Sequence, residues 1–282
     1  MIMAGGKGTR FWPLSRASKP KQFLSIIDRK PLIELTLSRL ETWIPKPQRW
    51  ILGNKTQENH LENLTHYVDN HHILKEPSGQ NTAACIGWAA MEVLKEDPDA
   101  IMIILPADHW IGNEKELETT LSKACEEASN NKTLVTIGVP PTSPHTGYGY
   151  IKTKENNNGI FKVESFTEKP DLETAETYLK EGNYCWNAGI FVWRADVILD
   201  LLKENMPTHY ELLEKMSAHP SDHPIAIDAY SKIDPISIDY GIMEKCSDQT
   251  RLIPATFEWS DIGNWQAIEP FLEKDSNNNA KN

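Results

Sequence analysis

The chain has 282 residues, a formal net charge of -11 and a hydrophobic content of 39%. This length allows one large α/β domain or two modest ones with an ample buried core. The acidic balance argues against a nucleic-acid-binding surface, because a polyanion requires a clustered basic face. The sequence has no apolar run long enough for a bilayer span and no secretory signal, so we expect a cytoplasmic protein without a membrane partner.

Strand and helix patterns alternate along the first half of the chain. Short apolar segments predict strands over residues 2–4, 50–53, 73–75, 101–106 and 134–139. Helical patterns lie between these strands, over residues 31–42, 82–95 and 114–128. This order predicts repeated βαβ units around a central parallel sheet.

After residue 140 the alternation loosens, and glycines and prolines separate the apolar segments. Strands are predicted over residues 149–152, 161–168, 189–193 and 252–257, and helices over 172–180 and 197–204. Paired strands in this half predict a smaller antiparallel insertion that lines a second part of a cleft. The predicted fold class is therefore α/β, with a Rossmann-like, mainly parallel mixed sheet flanked by helices and an antiparallel insertion.

The four cysteines are scattered along the chain and form no C-x-x-C pair. This spacing disfavours both a disulfide framework and a structural zinc site. We expect reduced thiols in or near the core, at Cys85, Cys125, Cys185 and Cys246.

A glycine-dense turn follows the first short strand. Gly5, Gly6 and Gly8 carry no Cβ, so their backbone N–H groups can approach an anion closely. Arg10 adds a planar fork of donors, and Lys21 adds a compact charge on a flexible stem. The sequence here matches neither the Walker A loop nor the dinucleotide fingerprint. The turn therefore predicts either a phosphate cradle of another kind or an ordinary turn between a strand and a helix.

Two aspartates occupy places where a metal ion or a ribose could be held. Asp108 follows the strand predicted over residues 101–106, and ligands of open α/β sheets bind at the carboxyl ends of strands. Asp261 precedes a helical pattern. Either residue alone could be a turn or capping residue. Together, two carboxylates could share Mg²⁺ with substrate phosphates.

Three later segments offer groups that suit a sugar phosphate. Glu168 and Lys169 end a strand side by side, which pairs an acceptor for hydroxyls with a cation for phosphate. Asn187 precedes a predicted strand, and Gly147 lies in a predicted hairpin whose backbone could face a ligand. Each segment has a plain structural alternative: a solvated ion pair, an amide that satisfies a turn, or an ordinary glycine-containing hairpin.

The loop over residues 76–84 leads into a predicted helix, and Asn81 is placed to cap that helix. The exposed backbone of the loop could bind the edge of a base. Four histidines lie nearby in the sequence, but their spacing matches no common metal site. We therefore predict surface or packing roles for His60, His66, His71 and His72.

Taken in order, these segments resemble the sugar-1-phosphate nucleotidylyltransferases. The glycine turn with Arg10 and Lys21 resembles the nucleotide-binding signature of that family. The branch that transfers a guanylyl group to a mannose phosphate is favoured by further motifs: W-P-L-S-R from residue 12, K-Q-F-L from 21, N-T-A-A from 81, S-I-D-Y from 237, M-E-K from 243 and W-S-D from 259. The resemblance extends from about residue 3 to residue 265.

The resemblance implies a nucleotide-diphospho-sugar transferase fold and a magnesium-dependent reaction. GMP would pass from GTP to α-D-mannose 1-phosphate, giving GDP-mannose and pyrophosphate. Mg²⁺ would be held by Asp108 and Asp261, with Arg10 and Lys21 as the other catalytic residues. The residues implied in nucleotide binding are Ala4, Gly5, Gly6, Gly8, Thr9, Arg10, Lys21, Asn81, Thr82, Pro106 and Asp108. Those implied in sugar-phosphate binding are Gly147, Glu168, Lys169 and Asn187.

The resemblance also implies one catalytic domain over residues 1–272, followed by a polar tail over 273–282. Residues 1–140 are expected to bind mainly the nucleotide, and residues 141–272 mainly the sugar phosphate. Gln80 departs from the arginine that we expect in many relatives. Longer relatives continue into a small left-handed β-helix segment, which we expect this chain to lack.

Two other functions stay open at this point. One is the transfer of UMP or dTMP to glucose 1-phosphate, and the other is a non-catalytic regulator that binds nucleotide sugars. The presence of both Asp108 and Asp261 argues against the regulator, because binding alone does not require two metal carboxylates. The sequence does not fix the oligomeric state, and a homodimer is among the options.

Overall fold

The computed structural model describes residues 1–6, 8–274 and 280–281. Its strands, in chain order, are β1 (Ile2–Met3), β2 (Ile51–Asn54), β3 (Ile73–Glu76), β4 (Ile101–Pro106), β5 (Trp110–Ile111), β6 (Leu134–Val139), β7 (Tyr150–Asn157), β8 (Ile160–Thr167), β9 (Tyr184–Arg194), β10 (Thr250–Pro254), β11 (Trp259–Ser260), β12 (Glu273–Lys274) and β13 (Ala280–Lys281). Strands β4 and β6 have the predicted bounds. Part of the predicted polar tail, residues 275–279 and 282, lies outside the described residues.

The described part of the chain contains the five predicted α-helices, four of them longer than predicted, and three further ones. They are α1 (Leu32–Arg39), α2 (Glu58–Leu61), α3 (Asn81–Glu96), α4 (Glu114–Asn131), α5 (Leu172–Glu181), α6 (Ala195–Asn205), α7 (Pro207–Ser217) and α8 (Pro224–Ser231), of which α2, α7 and α8 are the further ones. A π-helical turn, Asp239–Met243, follows α8. Among the described residues, none of the helices combines the length and apolar character that a membrane crossing requires.

The chain folds into two compact units whose segments interleave along the sequence. The first unit contains Met1–Glu76, Leu105–Glu114 and the chain from Phe257 onwards. The second contains Pro77–Ile104 and Lys115–Thr256. The division of binding roles at residue 140 concerns ligands and stays a prediction.

The first unit contains three strands of the predicted parallel sheet and the end of a fourth, whereas the fifth, β6, lies in the second unit and pairs antiparallel with β9. Strand β1 pairs in parallel with β2 and with the end of β4, and β2 pairs in parallel with β3. Ile2 aligns with Ile51 on one side and with Leu105 on the other. Because parallel strands end at the same edge of a sheet, the turn after β1 and the turn after β4 lie next to each other. This edge carries the glycine turn and Asp108.

A small core holds the segments around that edge. The side chains of Phe11, Leu24, Ile26 and Leu32 pack with Ile262 and Ile268 in one buried cluster. The cluster joins the chain after the glycine turn to the chain after Asp261. Burial of each such side chain contributes roughly 1.5–3 kcal/mol, so this packing fixes the two segments against each other.

The second unit contains a mixed sheet with mainly antiparallel pairs. Strand β9 pairs antiparallel with β6, with β7 and with the first four residues of β4. Strand β10 pairs in parallel with β6 and antiparallel with β8, which continues to β7. The predicted α/β class, with helices flanking a mixed sheet and an antiparallel part after residue 140, is confirmed.

Two expectations about the strands of this unit are wrong. The predicted hairpin around Gly147 is the connection between β6 and β7, and these two strands are not neighbours in the described sheet. The strand predicted over residues 189–193 extends over Tyr184–Arg194, so Asn187 lies inside it instead of before it. A bulge allows the polar Asn187 and the glycine that follows to sit within this long strand.

The cysteines follow their prediction, but His71 and His72 each place a ligand atom within 4.8 Å of one on Glu96 and of each other, so the absence of a metal role for the histidines stays a prediction. All four cysteines are free, and Cys85 and Cys246 are buried. Two of the histidines have stacking partners: His60 on Phe23, with centroids 4.7 Å apart, and His72 on Trp50, with centroids 3.9 Å apart.

Candidate active site

The glycine turn of the first unit is held by buried amides. Gln22 Nε2 donates to the carbonyls of Ala4 and Gly6, and Gln57 Nε2 donates to Gly6 at 3.1 Å. A Cβ on Gly5 would lie 2.9 Å from Glu76 Oε2. The turn is therefore fixed from its carbonyl side by Gln22, which belongs to the K-Q-F-L motif, and by Gln57, for which the sequence carries no functional signal.

Position 8 requires glycine for two reasons, its backbone conformation and the lack of room for a Cβ atom. Its φ is +51°, in the region that favours glycine, and an added Cβ would lie 2.4 Å from the backbone nitrogen of Lys21. The chain continues into a 3₁₀ turn, Thr9–Phe11, that carries Arg10. Gly8 thus allows the glycine turn and the Lys21 segment to approach closely.

Lys21 and Arg10 lie against the two predicted metal carboxylates. Lys21 is buried, and its Nζ is 3.0 Å from Asp108 Oδ2. The same ammonium donates to the backbone carbonyl of Asp261. Arg10 is largely exposed, with Nη1 4.0 Å from Asp261 Oδ2. All four predicted catalytic residues therefore lie together in the first unit.

A short antiparallel pair brings Asp108 and Asp261 to one place. In the pairing of β5 with β11, Trp259 aligns with Ile111 and Ser260 with Trp110. Asp108 precedes β5 and Asp261 follows β11, so both lie at the same end of the pair. The capping alternative for Asp261 is wrong, because the next helical turn begins at Gln266. Asp261 Oδ1 instead accepts from the Gly263 N–H at 3.1 Å.

The electrostatic surroundings keep Asp108 ionised. Burial would raise the pKa of Asp108, but the charge and hydrogen bond of Lys21, together with the charges of His109 and Arg10, outweigh burial and hold that pKa below its ordinary value. Burial lowers the pKa of His109 to about 4. The neutral His109 Nδ1 accepts from Trp259 Nε1 at 3.2 Å, which ties β5 to β11. The W-S-D motif contains Trp259 but does not indicate this contact, and the sequence gives no signal for His109.

The remaining predicted nucleotide residues differ in their surroundings. Pro106 ends β4 and aligns with Met3 in the first unit. In the second unit Asn81 is the first residue of α3 with φ +66°, so the expectation that it caps this helix is wrong. Its Oδ1 accepts from the next N–H, that of Thr82, at 2.8 Å. Asparagine adopts the left-handed conformation at modest cost because its short side chain can form a local hydrogen bond. Asn81 therefore bonds to the Thr82 N–H and does not act as the cap of α3.

Thr82 and Gln80 anchor the start of α3 within the second unit. Thr82 Oγ1 accepts from the Ile238 N–H at 2.8 Å. Gln80 is buried, and its Nε2 donates to the Ser231 carbonyl at 3.4 Å. Many relatives are expected to have arginine at position 80. In this chain the glutamine at that position is held by its hydrogen bond to Ser231.

Of the predicted sugar-phosphate residues, Gly147 lies in the connection before β7, Glu168 and Lys169 lie in the connection after β8, and Asn187 lies on β9. Glu168 Oε1 and Lys169 Nζ are 2.5 Å apart, and Lys169 has φ +47°. A Cβ on Gly149 would lie 2.4 Å from Glu168 Oε2, so this glycine leaves space for the carboxylate. The Gly147 N–H donates to His145 Nδ1 at 3.1 Å.

The bulge in β9 directs Asn187 toward the half-buried carboxylate of Asp239. Asn187 Nδ2 donates to Asp239 Oδ1 at 2.9 Å, and Asn187 Oδ1 accepts from the Gly189 N–H at 3.0 Å. Burial, reinforced by the negative charge of Glu168, raises the pKa of Asp239 to about 6. The S-I-D-Y motif contains Asp239 but does not indicate this contact, because the partner lies on a distant strand.

Comparisons with known proteins agree with this chemistry. The model of the nucleotidyl transferase family matches residues 1–278. A mannose-1-phosphate guanylyltransferase of Salmonella montevideo is 36% identical over 290 residues, and mannose-1-phosphate guanylyltransferase RfbM of Salmonella typhimurium is 38% identical over 289 residues. Both comparisons cover 99% of this chain, but only 61% and 60% of the relatives. The chain thus spans about three fifths of the length of these curated relatives.

Solved structures show the same fold. A Thermus thermophilus structure, described as a mannose-1-phosphate geranyltransferase, has a TM-score of 0.88 at 35% identity and covers 97% of this chain and 78% of that one. A Helicobacter pylori structure, described as a mannose-6-phosphate isomerase, has a TM-score of 0.75 at 28% identity, with coverages of 92% and 98%. The protein belongs to the nucleotidyl transferase family.

Proposed function

We propose that this protein transfers GMP from GTP to α-D-mannose 1-phosphate, with GDP-mannose and pyrophosphate as products. The observation that carries the proposal is the group of two cations and two carboxylates formed by Arg10, Lys21, Asp108 and Asp261. The choice of guanine and mannose is supported by the names of the Salmonella relatives.

The reaction joins two anions that repel each other. An oxygen of the sugar phosphate attacks the α-phosphorus of GTP in line and forms a new P–O bond. The bond from the α-phosphorus to the bridging oxygen breaks, and pyrophosphate leaves with its electron pair. The attacking oxygen is already anionic, so no general base is needed. Catalysis then depends on alignment and on neutralisation of charge.

Asp108 and Asp261 fit a divalent ion of the magnesium type. Both residues supply hard oxygen ligands, the class that Mg²⁺ prefers. One ammonium, that of Lys21, contacts Asp108 Oδ2 and the Asp261 carbonyl together, so oxygens from the two residues converge on a single cation. When bound there, Mg²⁺ would neutralise charge on the phosphates.

The other residues receive binding roles under this proposal. The backbone of Ala4, Gly5, Gly6, Gly8 and Thr9, together with Pro106, would hold the nucleotide, with Arg10 and Lys21 on its phosphates. Asn81 and Thr82 would contribute to the ribose and base. Glu168, Asn187 and the Gly147 backbone would bind mannose hydroxyls, and Lys169 its phosphate. A cytoplasmic location and a homodimer stay predictions.

A substrate panel tests the proposal. The purified protein is given GTP, UTP, dTTP or ATP with mannose 1-phosphate or glucose 1-phosphate, and pyrophosphate release is measured with Mg²⁺. We expect the highest kcat/KM for GTP with mannose 1-phosphate. Preference for UTP or dTTP with glucose 1-phosphate would favour the alternative transferase. Binding of GTP without turnover for any pair would favour a regulator.

A further inference from the structure

Lys21 bonds to one carboxylate oxygen of the proposed metal site, Asp108 Oδ2. Its ammonium is 3.0 Å from Asp108 Oδ2 and also donates to the Asp261 carbonyl. The side chain is only 7% exposed, so water screens this contact weakly. Lys21 thus acts as a built-in counterion for Asp108.

Simultaneous contact of the Lys21 ammonium and a divalent ion with Asp108 Oδ2 is electrostatically unfavourable. Mg²⁺ binds carboxylate oxygens at about 2.0–2.1 Å, which would put it close beside an ammonium that contacts the same oxygen. Two cations at that separation repel each other, and the low exposure of Lys21 strengthens the repulsion. The ammonium must therefore move when the metal binds.

Arg10 competes much less with a metal. Its guanidinium is 4.0 Å from Asp261 Oδ2, and its side chain is 71% exposed. Exposed pairs of this kind contribute little, since solvent and salt screen them. Lys21 is therefore the cation that opposes metal binding.

We propose that Lys21 competes with the divalent cation for Asp108, so that metal and nucleoside triphosphate bind together instead of the metal binding first. The triphosphate offers the ammonium new anionic partners, which offsets its loss of Asp108. This inference rests on the proposed function, in particular on the metal role of Asp108 and Asp261.

Titration of the nucleotide-free protein with Mn²⁺, followed by electron paramagnetic resonance, tests the proposal. Lys21→Met removes the charge and keeps most of the apolar stem, so we expect Mn²⁺ to bind at least about tenfold tighter than to the wild type. Lys19→Met makes the same charge change at an exposed position in the same segment and should leave the affinity unchanged. Adding Asp108→Asn to Lys21→Met should remove the gain. Equal or weaker binding in Lys21→Met would overturn the proposal.

A second charge-removing variant and a wild-type measurement cover the case in which Lys21→Met does not fold. Lys21→Gln should also tighten Mn²⁺ binding. In the wild type, the ¹⁵N resonance of the buried lysine ammonium should change with Mg²⁺ and GTP together and stay nearly constant with Mg²⁺ alone. A full change with Mg²⁺ alone would contradict the proposal.

Failure of this inference can be told apart from failure of the proposed function. A protein that makes GDP-mannose but shows no gain in Lys21→Met contradicts only the competition between Lys21 and the metal. A protein that shows the Mn²⁺ gain but transfers no GMP contradicts only the proposed function.

Discussion

At the scale of single residues, charge and steric fit account for the first half of the site. Against the effect of burial, the positive charge of Lys21, whose Nζ lies 3.0 Å from Asp108 Oδ2, helps to hold the pKa of Asp108 below its ordinary value. The Gln22 and Gln57 amides bind the carbonyls of the glycine turn. The sequence shows which residues are charged, but it does not show which atoms they meet.

Gly8 and Gly6 provide a matched pair of substitutions. In Gly8→Ala the new methyl group must avoid the Lys21 backbone nitrogen, and the residue must keep φ +51°. We expect a loss of about 1–3 kcal/mol in the free energy of unfolding, measured by urea denaturation. Gly6→Ala is the control, because nothing lies within 4 Å of the position that its Cβ would take and no positive φ is required. Equal stabilities for the two variants would contradict this steric account.

At the scale of elements, strands with continuous apolar sequence are predictable and irregular ones are not. The bounds of β4 and β6 follow directly from their apolar runs. Strand β9 contains Asn187 and Gly189, which usually mark a strand end, and the bulge between its pairings with Thr136 and Gly138 accommodates them. Sequence alone does not predict this bulge, because its stabilising contact is the distant Asp239.

The substitution Asp239→Asn tests the hydrogen bond between Asn187, in the bulge of β9, and Asp239. The pKa of the folded carboxyl is about 6, above the unfolded value of about 3.9, so the folded state binds more protons between these pH values. This group is therefore most favourable for stability at low pH, and its contribution falls as the pH rises through 6. We expect the stability of Asp239→Asn relative to the wild type to improve from pH 4 to pH 7, as measured by urea denaturation at both pH values.

The same variant separates the two substrates kinetically. Because Asp239 positions Asn187, Asp239→Asn should raise KM for mannose 1-phosphate and leave KM for GTP nearly unchanged. A relative stability that does not vary with pH would contradict the raised pKa. A rise in both KM values would contradict the assignment of Asp239 to the sugar side.

At the scale of the whole molecule, the sequence predicts the class of fold and which charged residues belong to the site. It does not predict which strand pairings bring those residues together. The alternation of strands and helices was enough for the α/β class, and the order of motifs was enough for the family. The meeting of Asp108 with Asp261 depends on the pairing of β5 with β11, two strands of two residues each. Strands this short carry no periodicity, so only the folded chain shows the pairing.

We propose that the group around Asp108 supports guanylyl transfer. The most direct measurement is the formation of GDP-mannose from GTP and mannose 1-phosphate with Mg²⁺, detected by mass spectrometry, for the wild type and Asp108→Asn. We predict product with the wild type and a kcat lower by roughly 100-fold or more in a folded Asp108→Asn variant, since one charged group of the site is lost. No GDP-mannose from the wild type, or near-normal turnover in Asp108→Asn, would contradict the claim.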